Sequence, residues 1–320
     1  MEKDAVYQDL LELIKSKVPE RGKLVNILSD CLFLEKEAVY RRLRGEVPFT
    51  FHEISVISRK FDISLDNIIG TNSSKNRPFL MRLVEFENPT DEDISMQEHY
   101  AELLEVAKND PNSEAGMAAN LLPVSLCLSY DLIYRFRRLK WCYQFGVKSS
   151  CFKDIVIYDR LRQMNNKSIQ NCRQIGYSFM ILNDQAIVSL VNDINYFASI
   201  RLIDKDEVCQ LKEELLRFLD DLEKLAINGH YPEGKTLDIF ISSVSFETSF
   251  SYIHTNDYYL SDIWSFSLND TISMDKQVFD KIKKWMQSLI RTSTLISGSN
   301  EVQRILFFER QRNFVQDYLS

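Results

Sequence analysis

The chain has 320 residues, with 39 Lys and Arg against 46 Asp and Glu and a net charge of −7. That balance excludes a uniformly basic nucleic-acid coat and leaves room only for a local basic face. Nine Gly and seven Pro argue against collagen-like and turn-dense all-β chains and favour long helices.

The start, Met-Glu-Lys-Asp, has no apolar stretch of the secretory kind. The most apolar run, 118–134, is interrupted by Pro123 and carries Asn120 and Asp131, whereas a membrane span needs about 20 apolar residues. Six cysteines at 31, 127, 142, 151, 172 and 209 are scattered and form no C-x-x-C. They read as apolar thiols of a reducing compartment rather than a disulfide framework or a zinc site. A cytoplasmic protein without membrane association is expected.

In chain order, Val6, Leu10, Leu13 and Ile14 keep a helical period and predict a first helix ending near Pro19. Leu24, Leu28 and Cys31/Leu32 predict a second, and Glu35 to Arg44 a third, stopped by Gly45 and Pro48. Thr50-Phe51-His52-Glu53 is a capping box for a fourth helix bearing Ile54, Ile57 and Phe61. Ser64 caps a short fifth with Leu65, Ile68 and Ile69, closed by Gly70. Residues 1–70 thus form a five-helix bundle, and the polar stretch 71–78 reads as a linker. Residues 79–235 read as a helical regulatory or dimerisation region. One helix starts at Thr90, a long apolar stretch runs from Pro123 to Phe145, Ile175–Ile200 has helical spacing, and Asp204–Ala226 is amphipathic. Residues 236–320 read as a small α+β unit packed on it. Alternation at Leu237–Ser242, Phe250–Thr255 and the aromatic run Tyr258–Phe266 predicts a three-stranded antiparallel meander. Ser273 is expected to cap the next helix, and a final helix spans Glu301 to Leu319. The predicted fold class is therefore mainly α.

The segment 21–70 carries the most information. Leu28-Ser29 in the second helix, Leu32 and Leu34 about the turn, Val39 in the third helix, Arg44-Gly45 before Pro48, and Ile63-Ser64-Leu65-Asp66 follow one another over a single domain length. In this order they resemble the lambda-repressor-like, or Cro-type (Xre), helix-turn-helix, over about a fifth of the chain. Three positions depart from that pattern: Phe33 where the turn usually has Gly, Glu35 where the cap is usually Ser or Thr, and Val25 where a Gln is often found. The resemblance implies that the third helix lies in a DNA major groove. Lys36, Glu37, Tyr40 and Arg41 would then face the duplex and Arg44 a phosphate. Residues 1–70 carry 11 basic and 12 acidic residues, so electrostatic attraction is weak and tight binding implies a homodimer.

Four histidines (52, 99, 230, 254) stand in no metal-binding or catalytic spacing, and no nucleotide-binding or nucleophile-elbow motif occurs. Neither an enzyme, a cofactor nor a metal is therefore expected. Two stretches suggest a ligand or anion contact: Arg135, Arg138 and Trp141 in a cationic–aromatic run, and Tyr252 and Trp264 among the aromatics of the predicted strands. The expectation is a bacterial, dimeric transcriptional regulator that binds double-stranded DNA and senses a small molecule or peptide. The alternative is a protein-interaction scaffold with a vestigial helix-turn-helix.

Overall fold

The computed structural model describes residues 5–319 apart from 19, 62, 64, 66, 67, 69–76, 78, 86–89, 147–150, 267 and 268. The chain divides into two compact units, 1–78 and 79–320.

The first unit contains α1 (Ala5–Lys17), α2 (Arg21–Leu32), α3 (Lys36–Leu43) and α4 (Phe51–Phe61). Leu10, Leu11, Ile14, Leu24, Leu28, Val39, Leu43 and Ile57 form its core. The turn between α2 and α3 places Phe33 in the left-handed region, at φ 53°, with its ring exposed. Glycine adopts this conformation without the Cβ clash that Phe33 bears. Thr50 Oγ1 accepts from Glu53 N (3.2 Å) and Glu53 Oε2 accepts from Thr50 N (2.7 Å), closing the capping box of α4. The expected fifth helix and the linker fall largely outside the described residues, although Ile63 and Ile68 complete the core.

The second unit is built on one sheet. In chain order it comprises β1 (Leu80–Arg82), α5 (Asp91–Asn109), β2 (Glu114–Ala119), α6 (Val124–Cys127), α7 (Asp131–Gln144), α8 (Asp159–Cys172), β3 (Tyr177–Asn183), α9 (Ala186–Ser199), α10 (Lys205–Asn228), β4 (Thr236–Ser242), β5 (Phe250–His254), β6 (Tyr259–Phe266), β7 (Asn269–Ser273), α11 (Lys276–Ile290), β8 (Ser293–Leu295) and α12 (Glu301–Tyr318). The strand order is β1-β7-β6-β5-β2-β3-β4-β8. The pairs β2–β3 and β3–β4 are parallel and the others antiparallel. Parallel neighbours need long crossovers: α6 to α8 return the chain from β2 to β3, and α9 with α10 from β3 to β4.

This corrects the mainly-α class and the small C-terminal unit to a mixed α/β fold with an eight-stranded sheet. The three strands expected after residue 236 exist, but they do not form a meander, because β2 and β3 stand between β5 and β4. The two inserted strands hide their nature. β3, Tyr-Ser-Phe-Met-Ile-Leu-Asn, is buried on both faces over nearly all its length and shows no alternation. β2, Glu-Ala-Gly-Met-Ala-Ala, is made of small residues with little strand preference. The cap of α11 is Asp275, whose carboxylate accepts from Gln277 N and Val278 N, rather than Ser273, which ends β7.

The two faces of the sheet are covered differently. On one, α11 packs Phe279, Ile282 and Met286 over Ala118, Phe179, Ile181 and Tyr252. On the other, α7, α9, α10 and α12 cover Met180, Leu182, Leu237, Ile239 and Ile241, while α5 covers Ile253 and Leu260. At the first face Gly116 admits the rings of Tyr252 and Phe179. A methyl group there would lie 2.5 Å from Tyr252 Cε1 and 2.7 Å from Phe179 Cζ. Gly116→Ala is expected to destabilise this unit by about 1–3 kcal/mol through displaced aromatic rings, read as a lower midpoint in thermal or denaturant unfolding.

Candidate functional site

In the first unit Val39 and Leu43 anchor α3 in the core, which leaves Lys36, Glu37, Arg41 and Arg44 exposed and Tyr40 half-buried. The five sequence-predicted residues thus share one accessible stretch of surface. Arg42, between them in sequence, is turned inward. Its Nε and Nη2 donate to Glu53 Oε2 (3.1 Å) and Oε1 (2.9 Å), a two-pronged pair largely shielded from water. Arg42 therefore braces α3 against α4, with the same carboxylate that caps α4.

Acidic neighbours temper the charge of the exposed face. Arg44 pairs with Glu46 (Nε–Oε1 2.6 Å) and with Glu37 (3.2 Å), and Arg41 lies 3.6 Å from Glu46. The Arg44 hydrogen bond holds the Glu46 carboxyl below its ordinary range. Lys36 makes no ion pair among the described residues. Sequence reading missed Arg21 at the start of α2, whose guanidinium lies 5.7 Å over the Tyr40 ring and adds a fourth cation to this surface.

The second unit contains a partly open cavity of about 1750 Å³ on the sheet face that carries Met117, Ser178, Ser251 and Trp264. Its walls include Tyr100 of α5, Arg138 and Trp141 of α7, Leu161 and Met164 of α8, and Arg217 of α10. Ordinary small-molecule pockets occupy about 300–1,000 Å³, so there is ample room for an organic ligand. The cavity lies between the two groups of helices that cover this face.

The five ligand-contact candidates from sequence fare unequally. Arg138, Trp141 and Trp264 line the cavity. Arg135 is not among its lining residues; its guanidinium lies 5.5 Å over the Phe152 ring. Tyr252 contributes to the wall, but its ring packs against Phe179 and Phe279 under α11, and its hydroxyl donates to Glu114 (2.5 Å). It therefore serves the opposite face. Most of the cations around the cavity are engaged: Lys140 with Asp193, Arg160 with Glu98, Arg217 with Glu214. Arg173 makes no ion pair among the described residues.

A polar cluster in the cavity wall was missed by sequence reading. Arg82 of β1 grips Asp270 of β7, Nε donating to Oδ1 at 2.6 Å and Nη2 to Oδ2. Asp262 of β6 is 4% exposed, with Oδ2 3.8 Å from Arg82 Nη2. Arg82 also lies 5.6 Å over the ring of Tyr100. Burial, and then the negative charge of Asp270, hold the Asp262 carboxyl well above its ordinary range despite Arg82. The legible signal was register: Asp262 lies on the same face as Leu260 and Trp264, an acid on the inward side of a strand. Burial pushes the Cys172 thiol up to about 12, so it is not an ionised nucleophile.

Among the described residues no cluster of three or more His, Cys, Asp or Glu is placed to hold a metal, and no helix is long and apolar enough to cross a membrane. Comparison with protein families, curated proteins and solved structures finds no match.

Because the folded Asp262 keeps its proton to higher pH than the unfolded chain, folding stability is lost as pH rises above the ordinary aspartate range near 3.8. Asn at this position does not titrate. The melting temperature of Asp262→Asn should therefore gain on that of the parent chain as pH rises above about 4, and a parallel pH dependence of the two proteins would contradict the assignment.

Proposed function

We propose that this chain is a sequence-specific, DNA-binding transcriptional regulator of the cytoplasm, acting as a homodimer, whose larger unit holds an effector. The observation that carries the reading is the division of labour on α3. Arg42 is committed to the Glu53 brace, while Lys36, Tyr40, Arg41 and Arg44 stand on the accessible side of a helix fixed by Val39 and Leu43. A rigid helix presenting cations and a tyrosine suits a major groove. Arg41 would bond a guanine through two donors, Tyr40 a thymine methyl or a phosphate, and Arg44 and Lys36 phosphates. Glu37 would accept from a cytosine amine. Contact with DNA would require Arg44 to exchange Glu37 and Glu46 for phosphate oxygens, a rearrangement of exposed side chains only.

The cavity supports the sensing half of the reading. A ligand that binds one DNA-affinity state better than another shifts the population between them, so an occupant of the larger unit would alter operator affinity. One observation favours a second reading. The Glu37–Arg44–Glu46 pairs already neutralise much of the charge on α3, as on a bundle that binds another protein as part of an interaction scaffold.

Fluorescence anisotropy of the full chain separates the two readings, using the duplex upstream of its own gene, a scrambled duplex, and two salt concentrations. A regulator prefers the cognate duplex and binds less tightly in more salt. Arg41→Ala should then cost roughly tenfold to a hundredfold in affinity and relax specificity, whereas Lys36→Ala should weaken all duplexes alike and reduce the salt slope by about one. Lack of preference at low salt by folded protein would favour the scaffold.

A further inference from the structure

If the cavity is the effector site proposed above, three of its features restrict the effector's chemistry. The first is an acceptor without a donor. Asp262 sits on the cavity side of β6, almost wholly buried, and its Oδ1 has no hydrogen-bond partner among the described residues. A buried polar atom left this way costs free energy, and the cost is relieved by a donor arriving from outside the chain. The second is a carboxyl without a cation of its own. Arg82 on β1 and Asp270 on β7 satisfy one another through two hydrogen bonds, so two carboxyl groups share one guanidinium. One further positive charge would balance the cluster with both carboxylates ionised. The third is the surrounding surface. Trp264 and Met117 project from the same sheet face, and Tyr100 of α5 stands beside the cluster. Aromatic faces attract cations, and the apolar side chains take a hydrocarbon body.

We propose that the cavity binds a small organic amine in its protonated form, its ammonium group donating to Asp262 Oδ1 and its apolar body lying against Trp264 and Met117. Burial and Asp270 oppose ionisation of Asp262, so without a cation beside it the carboxyl keeps its proton to higher pH than an ordinary aspartate. Where Asp262 holds its proton, binding the ammonium ionises it and sends that proton to solvent. The charged and titratable groups facing Asp262 are Asp270 from β7, Arg82 from β1 and Tyr100 from α5. Tyr100 is held protonated well beyond the usual tyrosine range by its burial. The released proton is therefore that of Asp262, and affinity rises with pH across the range in which Asp262 gives it up.

Calorimetric titration of the full chain without DNA tests this with tryptamine and hexylamine as probes and indole-3-propionate as the carboxylate counterpart. Saturable binding of an amine is expected, with a heat that changes with the buffer's ionisation enthalpy in the sense of proton release, and no binding of the carboxylate. Asp262→Asn, confirmed folded by its melting curve, should bind the amine on the order of tenfold or more less tightly and release no proton. Proton release by the parent chain tests the same claim without any variant. Failure of both amines to bind at millimolar concentration, equal binding of the carboxylate, or undiminished binding by Asp262→Asn would overturn the proposal. Omitting DNA separates the two readings. Amine binding that leaves operator affinity unmoved overturns the effector role and keeps the site, whereas loss of the site leaves DNA binding by α3 where it stood.

Discussion

The larger unit depends on one constraint: an eight-stranded sheet with a parallel centre has to be covered on both faces. β3 illustrates the requirement, since Phe179 and Ile181 are buried on one side and Met180 and Leu182 on the other. Each face meets it differently. A single helix, α11, suffices over an aromatic layer made dense by the absence of a side chain at Gly116. The opposite face is broader and is covered by two groups of helices, one around α5 and the other around α7, α9, α10 and α12. Between them the cover is incomplete, and there the sheet carries Ser178, Ser251 and Asp262 beside Met117 and Trp264. Polar residues at inward positions and the gap in the cover are two aspects of one arrangement.

In the smaller unit the corresponding economy is in Glu53. One carboxylate caps the first turn of α4 and receives both prongs of Arg42 from α3. The pairing keeps Glu53 ionised to lower pH than an ordinary glutamate, although its burial opposes this. It also fixes the rotation of α3 about its own axis, since Arg42 cannot face inward unless Arg41 and Arg44 face out. Three arginines within four residues thus have two roles, decided by helical phase rather than by composition.

Much of this is legible in the sequence where a local rule has a single outcome. The helices of the first unit are marked by apolar spacing and by the Thr50–Glu53 capping box, and α10 by its long amphipathic stripe. The strands after residue 236 alternate, and so declare themselves. Partner assignment is not legible. Alternation says that a strand has two faces but not which strand lies beside it, and β2 and β3 fall within residues 79–235, whose neighbouring stretches suggest helix. Alanines in β2 and an unbroken apolar run in β3 have no period to detect. The candidate site divides along the same line. Lys36, Tyr40 and Arg41 are what the helix-turn-helix resemblance implies, and helical phase about Val39 and Leu43 leaves them accessible, whereas Arg82, Asp262 and Asp270 come from three strands and meet only through the sheet's register. Arg135 lies off the cavity because a run of cations on α7 points several ways around the helix, and only some directions reach it.

In the proposed function these parts combine: a braced helix would offer cations to DNA, and an incompletely covered sheet face would offer a ligand a buried acid. Sequence-specific recognition by a dimer through α3 is the central claim. Selection of binding sites by the full chain from a pool of random duplexes tests it most directly, without prior choice of an operator. Enrichment of two inverted half-sites is the expected result, their centres about 10 base pairs, or a multiple of that, apart. Recovery of a pool no richer in any sequence than the starting mixture, from protein shown to be folded, would contradict it.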